Sequence, residues 1–262
     1  MPTTSSSGTS KPRERLYFDN AATSFPKPPA VIEAMTRYAN ELGASPGRGA
    51  YREVVETARL LRQCRERLNR LFNGESAEHV IFTLNATDAL NLAIKGIARH
   101  ALRKGEPVHL VATHMDHNSV LRPYRALEAE DSNVTVTFVQ GDPATGHVTP
   151  DELRAAFTPH TRLVATLHGS NVTGTLQDVP AIGRMCREAS VPLLVDAAQT
   201  LGHLPVDVRA MNIDLLAFPG HKGLLGPLGT GGLYLRPGME KIVEPIREGG
   251  NGSRSEEDVQ PD

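Results

Sequence analysis

The fold is decided by one segment, DLLAFPGHKG at residues 214–223. Its short apolar run, typical of a buried strand, ends at a Pro-Gly turn and is followed at once by His221 and Lys222. Charged side chains are rarely buried unless they are paired. An amine held in an apolar pocket has a lowered pKa and becomes a nucleophile toward a carbonyl. Lys222 is therefore either an ordinary solvated loop lysine or a reactive amine, and the rest of the chain decides between the two.

Apolar strands and helices alternate outward from this segment through the middle of the chain. Strands are predicted at 79–83, 108–112, 134–139, 163–167 and 192–195, and helices at 31–42, 51–72, 89–100, 124–129 and 179–189. Thr149 and Glu152 form a capping box at the start of a further helix. The strands are near-continuous apolar runs, as expected when helices cover both faces of a sheet. The predicted fold class is α/β, with three layers (α/β/α) around a mostly parallel central sheet.

The composition is that of an ordinary globular protein. The 262 residues are 39% hydrophobic and 22% charged, and the net charge of -2 does not suggest a nucleic-acid partner. No apolar run approaches the roughly 18 residues of a membrane helix. Residues 1–15 are rich in Ser and Thr, and we expect a disordered tail rather than a secretory signal. Two cysteines, Cys64 and Cys186, cannot form a disulfide framework, so a cytoplasmic location is expected.

Polar side chains gather where the predicted strands end, which is where ligands bind in such sheets. These residues are Ala86, Thr87, His117, Asn171, Asp196, Gln199, His221 and Lys222. The helix start at Thr87 can hold a phosphate on its N–H groups, although an ordinary N-cap explains the same residues. His117 can equally be a structural histidine, Asn171 a turn residue and Asp196 a helix cap.

Together these groups supply a phosphate cradle, an acid and a lysine, which are the parts that a pyridoxal 5'-phosphate (PLP) enzyme needs. The lysine forms a Schiff base, and an aspartate on the pyridinium nitrogen keeps the ring protonated as an electron sink. Metal ligation is disfavoured, because His114 and His117 have suitable spacing but no evident Cys or Glu companion. No metal site is predicted.

Six motifs resemble, in order and spacing, the class V (fold-type I) aminotransferase family and its cysteine desulfurase and selenocysteine lyase-like branch. They are YFDNAAT at 17–23, NAT at 85–87, DHNS at 116–119, SNVTG at 170–174, VDAAQ at 195–199 and GHK at 220–222. The resemblance runs from about residue 16 to the end of the chain. It implies a PLP-binding large domain at 16–247. Residues 248–262 then begin the connection to a small domain that the chain lacks.

The resemblance also implies a role for each site residue. Lys222 forms the Schiff base and then moves the α-proton of the substrate, Asp196 holds the pyridinium nitrogen, and His117 stacks on the ring. Gln199 and Asn171 lie near the phenolic oxygen of the ring. The phosphate is held by the backbone of Ala86 and by Thr87 and His221.

Relatives in this family typically form homodimers with the sites at the interface. The loop around Arg48 and the segment 249–253 are the parts expected to reach the partner's site. That segment often reads Gly-Gly-Thr-Gly-Ser in relatives, whereas Asn251 stands here in place of the threonine, so a hydroxyl contact to phosphate is not expected from this position.

The expected function is PLP-dependent chemistry on an amino acid. It is either desulfurase-like sulfur transfer from L-cysteine, with a sulfur-acceptor protein as a further partner, or a class V aminotransferase reaction. One alternative is a PLP-binding or partner-binding protein without turnover, because the small domain and its catalytic-cysteine loop are missing. Another is an α/β scaffold without a cofactor. Cys64 and Cys186 lie inside predicted helices, so neither is expected to carry a persulfide. We expect weak or no sulfur release from this chain alone.

Overall fold

The computed structural model describes residues 16–47 and 49–249, which contain a seven-stranded sheet. The strands are β1 Val80–Thr83, β2 Val108–Thr113, β3 Val134–Val139, β4 Thr161–Leu167, β5 Leu193–Asp196, β6 Leu215–Pro219 and β7 Gly231–Leu235. The helices are α1 Pro29–Arg37, α2 Arg52–Leu71, α3 Ala86–Arg103, α4 Asn118–Glu130, α5 Pro150–Ala155 and α6 Val179–Glu188. The strand order is β1-β7-β6-β5-β4-β2-β3, and only β7 pairs antiparallel with its neighbours. The predicted fold class is confirmed.

Each face of the sheet has its own apolar core. In β6, Leu215 and Ala217 belong to the core beneath α3 and α4, whereas Leu216 and Phe218 belong to the core that includes α6. Successive side chains of a strand point to opposite faces. Because helices cover both faces, the strands need apolar residues at every position, which is why they read as continuous apolar runs.

Three predicted helices differ from the structure by more than one residue at an end, and the one predicted at 89–100 is α3, which spans Ala86–Arg103. The helix predicted at 31–42 is α1 followed by a π-helical turn at Tyr38–Leu42, which ends at Gly43 in the left-handed region with φ 54°. The helix predicted at 124–129 begins earlier, at Asn118, because the His117 side chain accepts a hydrogen bond from Ser119 N–H and caps it. The capping box of Thr149 and Glu152 is confirmed at the start of α5.

Strand β7 is absent from the elements predicted from the sequence, because it begins with two glycines, which are poor strand formers. A Cβ on Gly231 would lie 2.7 Å from the backbone of Asn85. A Cβ on Gly232 would lie 2.5 Å from the ring of Phe218. The two glycines therefore let the start of α3 and the ring from β6 approach the strand closely.

Several sequence predictions concern residues outside the described ranges. They are the tail at 1–15, the Arg48 loop residue, and the end of the chain from residue 250, which includes Asn251. The boundary between a large domain at 16–247 and a connecting segment stays a prediction. Among the helices of the described residues, none is long and apolar enough to cross a membrane.

Candidate functional site

All the site residues predicted from the sequence line one cavity of about 110 Å³ at the carboxyl edge of the sheet. They are Ala86, Thr87, His117, Asn171, Asp196, Gln199, His221 and Lys222. They come from the segments that follow β1, β2, β4, β5 and β6, and β4, β5 and β6 are direct neighbours at the centre of the sheet. The structure therefore brings the predicted residues together, while their individual roles stay predictions.

Asp196 is the last residue of β5, Lys222 follows the neighbouring parallel strand β6, and the two side chains influence each other's charge. Burial lowers the pKa of the Lys222 amine, and the nearby Asp196 carboxylate acts in the opposite direction. Burial raises the pKa of Asp196, which is only 6% exposed, against the hydrogen bond that Ala198 N–H donates to its Oδ1 at 2.9 Å. His117 and Lys222 also lower the pKa of Asp196. The carboxylate thus lies in an apolar setting where a further cation would stabilise its charged form.

The start of α3 forms the anion-binding wall of the cavity. Asn85 caps the helix, since its Oδ1 accepts a hydrogen bond from Asp88 N–H at 2.8 Å. The first backbone bond of the helix runs from Ala89 N–H to the Asn85 carbonyl. The N–H groups of Ala86 and Thr87 precede that bond, and the helix dipole favours an anion beside them. One helix start can therefore be both capped and a phosphate site, because Asn85 caps the helix while Ala86 and Thr87 offer their N–H groups to an anion.

His117 is held by a chain of hydrogen bonds that starts at Thr87. The hydroxyls of Thr87 and Ser119 lie 2.8 Å apart, and Ser119 Oγ lies 2.9 Å from His117 Nδ1. Ser119 N–H also donates to Nδ1 at 3.2 Å, so a neutral His117 carries its proton on Nε2. Ser119 lines the cavity and is missing from the predicted site residues. The sequence feature that could have identified Ser119 is its small hydroxyl side chain two positions after His117.

A segment near the start of the described chain closes another side of the site. The Nδ1 atom of His221 lies 3.0 Å from Thr23 Oγ1, and Gln199 Nε2 donates to the Ala21 carbonyl at 3.0 Å. The pKa of His221 is lowered by burial first and then by two neighbouring lysines, one of which is Lys27. Among the site residues predicted from the sequence, none comes from this N-terminal segment.

Asp116 is a second buried carboxyl group close to the cavity. Thr113 donates to its Oδ2 from both the backbone N–H and the hydroxyl, each at 2.8 Å. Its Oδ1 is buried and has no hydrogen-bond partner among the described residues. Burial raises the pKa of Asp116 to about 7, and the charge of Asp196 adds to that rise. Asp116 lies in the DHNS motif, but the sequence assigned it no role.

The two cysteines lie away from the cavity lining. Cys64 is exposed on α2, and Cys186 is buried on α6. Desolvation raises the pKa of both thiols, that of Cys186 to about 12. Neither thiol has the lowered pKa of a reactive cysteine. Within residues 16–47 and 49–249, no group of three or more His, Cys, Asp or Glu side chains could hold a metal ion.

Comparison with known sequences gives one family match and several relatives. Residues 16–259 match the family described as "Aminotransferase class-V". The chain is 41% identical over 238 residues to a "Probable cysteine desulfurase" of Methanothermobacter thermautotrophicus, covering 91% of this chain and 57% of that protein. It is 37% identical to the cysteine desulfurase IscS of Photobacterium profundum, covering 91% of this chain and 58% of the relative. The chain thus spans less than two thirds of the length of these curated relatives.

Comparison with solved structures agrees with the sequence matches. The structure described as SspA in complex with cysteine is 32% identical, with a TM-score of 0.82 and coverage of 89% of this chain and 65% of that one. A cysteine desulfurase from Thermococcus onnurineus NA1 is also 32% identical with a TM-score of 0.82, covering 90% of this chain and 57% of the other. The resemblance of motifs found in the sequence is therefore confirmed by similarity over most of the chain.

Proposed function

This chain belongs to the class V aminotransferase family, and we propose that it holds PLP and acts on an amino acid, with sulfur transfer from L-cysteine as the reaction. Class V aminotransferases and cysteine desulfurases are PLP enzymes. One observation carries the proposal: Lys222, Asp196 and the N-terminus of α3 line the same cavity. They are an amine, an acid and an anion-binding turn, which match the carbonyl, the ring nitrogen and the phosphate of PLP. Family membership supports this proposal over an α/β scaffold without a cofactor.

The donor set of the cavity fits PLP on physical grounds. The backbone N–H groups of Ala86 and Thr87 would hold the phosphate, together with the Thr87 hydroxyl and His221. The Asp196 carboxylate is buried, and its raised pKa reflects a charge without enough solvation. A protonated ring nitrogen would supply the missing cation. His117 and the amides of Asn171 and Gln199 would lie around the ring.

The residues of the chain itself then perform the proton chemistry. Because burial lowers the pKa of Lys222, a larger fraction of this amine is neutral near pH 7 than for an exposed lysine. A neutral amine can form a covalent bond to a carbonyl and can later accept the α-proton of an amino acid. When bound, PLP supplies the electron sink for that proton removal. The hydrogen bonds between Ser119 and His117 fix the orientation of the His117 ring, which would contact the face of a bound PLP ring.

The names of the relatives support L-cysteine as the substrate. Several are cysteine desulfurases, and one solved relative is described in complex with cysteine. Sulfur transfer also requires a thiol that accepts the sulfur. Among the described residues no cysteine lines the cavity, which favours a second candidate, a chain that holds PLP and removes the α-proton without completing sulfur transfer.

One experiment separates these functions. The 262-residue chain is purified, supplied with PLP, and examined for a visible absorbance band. It is then incubated with L-cysteine in D₂O while NMR follows α-proton exchange and the appearance of alanine, which is the product when cysteine loses sulfur. A band with exchange and alanine supports the proposal. A band with exchange but no alanine supports the second candidate, and no band after added PLP refutes both.

The proposal includes a second copy of the chain and an amino acid as partners, with a sulfur-acceptor protein as a further partner. Several apolar side chains are exposed around the N-terminal helices, and such surface promotes association. They include Ile32 (54% exposed), Met35 (49%), Tyr51 (58%) and Val55 (57%). Sedimentation of the purified chain should give the mass of a dimer. The predicted cytoplasmic location is part of this proposal and rests on the cysteine content alone.

A further inference from the structure

The backbone carbonyl of His221 accepts hydrogen bonds from an unusual number of donors. All come from residues 23–27, which we call the clamp. The donors are Lys27 Nζ at 2.8 Å, Ser24 Oγ at 2.9 Å, Ser24 N–H at 3.0 Å and Thr23 Oγ1 at 3.1 Å. This carbonyl belongs to the peptide group that joins His221 to Lys222. A carbonyl oxygen has two lone pairs, so the clamp offers the His221 oxygen more donors than such an atom ordinarily accepts.

Lys27 is the charged member of the clamp. Its ammonium group donates to the His221 carbonyl and also to Ser24 Oγ at 2.6 Å. Hydrogen bonds from a charged donor are roughly twice as strong as neutral ones. The contact joins positions that are 194 residues apart, so it ties the start of the described chain directly to the loop that carries Lys222.

The clamp also contacts the side chain of His221. Thr23 Oγ1 lies 3.0 Å from His221 Nδ1 and has a single hydrogen to donate. That hydrogen goes either to the His221 carbonyl at 3.1 Å or to Nδ1, and in both cases the hydroxyl ties the His221 ring to the clamp. Nδ1 is thus engaged by Thr23, Nε2 is the ring nitrogen left for a ligand, and His221 lines the cavity.

We propose that Lys27 is a positioning residue, which fixes the peptide between His221 and Lys222 and thereby holds the His221 ring in place for contact with an anionic group in the cavity. This inference rests on the proposed function for the identity of that group, the phosphate of PLP. The contacts of the clamp themselves do not depend on it. A merely structural tie would hold the segment in place without influencing the titration of His221 or the affinity for PLP.

The first test measures the titration of His221 by NMR in the PLP-free chain. The charged or titratable groups around this ring are Lys27 and Lys222, with Asp196 and His117 lining the same cavity. Since the charge of Lys27 lowers the pKa of His221, Lys27→Met should raise it and Lys27→Arg should leave it close to wild type. Lys104→Met, which removes an exposed lysine at the far end of α3, is the matched control and should change nothing.

The second test measures PLP affinity in the same variants. Loss of a charge-assisted hydrogen bond should weaken binding about tenfold in Lys27→Met, with recovery in Lys27→Arg. Unchanged His221 titration together with unchanged affinity in Lys27→Met would overturn the inference. If wild type binds no PLP, the proposed function fails, while the titration still decides the role of Lys27. If Lys27→Met does not fold, Ser24→Ala carries the test, and wild-type PLP affinity in that variant would refute the clamp.

Discussion

Two buried aspartates lie at opposite ends of neighbouring strands and have different surroundings. Asp196 ends β5 and is 6% exposed, and Asp214 precedes β6 and is 5% exposed. Asp214 accepts hydrogen bonds from Arg236 Nε at 2.6 Å and from Leu193 N–H at 2.9 Å. The side chain of Asp196 accepts one from Ala198 N–H and otherwise faces the cavity.

The charge of Asp214 is part of the fold, whereas the charge of Asp196 is available to a ligand. A buried carboxylate is costly unless it is paired, and Asp214 is paired within the protein. Asp196 has a pKa raised by burial, which means that the folded chain does not fully compensate its charge. Such uncompensated groups are concentrated at functional sites. The carboxyl edge of the sheet is therefore the edge at which a bound cation would increase stability.

Among the substitutions at the cavity edge of the sheet, replacement of Lys222 should have the largest effect. Lys222→Ala deletes the only amine among the lining residues and should abolish the visible band of lysine-linked PLP completely. Absorbance spectra of wild type and variant after PLP addition check this. Lys104→Ala, far from the cavity, should keep the band, and a persistent band in Lys222→Ala would contradict the assignment.

Substitution of the cavity aspartate should be the next largest effect. Asp196→Asn keeps the shape but removes the charge that stabilises a protonated ring nitrogen. The rate of α-proton exchange in the PLP-loaded chain should fall about 10²- to 10³-fold, as for loss of a preorganised electrostatic contact. Asp214→Asn is the paired control and should change the exchange rate little. An equal fall of the exchange rate in Asp196→Asn and Asp214→Asn would show that the two edges of the sheet do not differ in this respect.

For the stability of the PLP-free chain the order of the two aspartates should be reversed, with the larger loss on replacing Asp214. Asp214→Ala leaves Arg236 without its carboxylate and should lower the free energy of unfolding by about 3 kcal/mol. Asp196→Ala should be neutral or stabilising at pH 7, because the folded state disfavours the charged form of that group. Urea unfolding of both variants measures the difference. A loss in Asp196→Ala as large as that in Asp214→Ala would be inconsistent with this view.

A last expected effect is a pH dependence of stability from Asp116. Its pKa is about 7 in the folded chain against an ordinary 3.8, so the folded state keeps a proton that the unfolded state has lost between these values. Stability should therefore fall as the pH rises from about 4 to about 7, by at most about 1.4 kcal/mol per pH unit from this group. Asp116→Asn should lack that part of the fall. Parallel stability curves for the two proteins would show that Asp116 is not responsible.

Much of the fold and most of the predicted site followed from local patterns. Continuous apolar runs indicated strands covered on both faces, and the carboxyl ends of parallel strands meet at one edge. This rule alone predicted that Asp196, His117 and Lys222 would lie together, and they line one cavity. Strand β7 escaped prediction because the glycines that begin it have no side chain to indicate a strand. Their purpose is close packing against Asn85 and Phe218, which only the folded chain reveals.

The sequence by itself determined the layered sheet, the cavity edge and the residue types there, because periodicity and strand ends are local properties. The tertiary structure decided which buried polar and charged groups have a partner inside the protein. The bond from Lys27 to the His221 carbonyl, and the pairing of Asp214 with Arg236, join positions that no local pattern connects. Solvation of a charge depends on every atom around it, so only the folded chain distinguishes the paired Asp214 from the open Asp196.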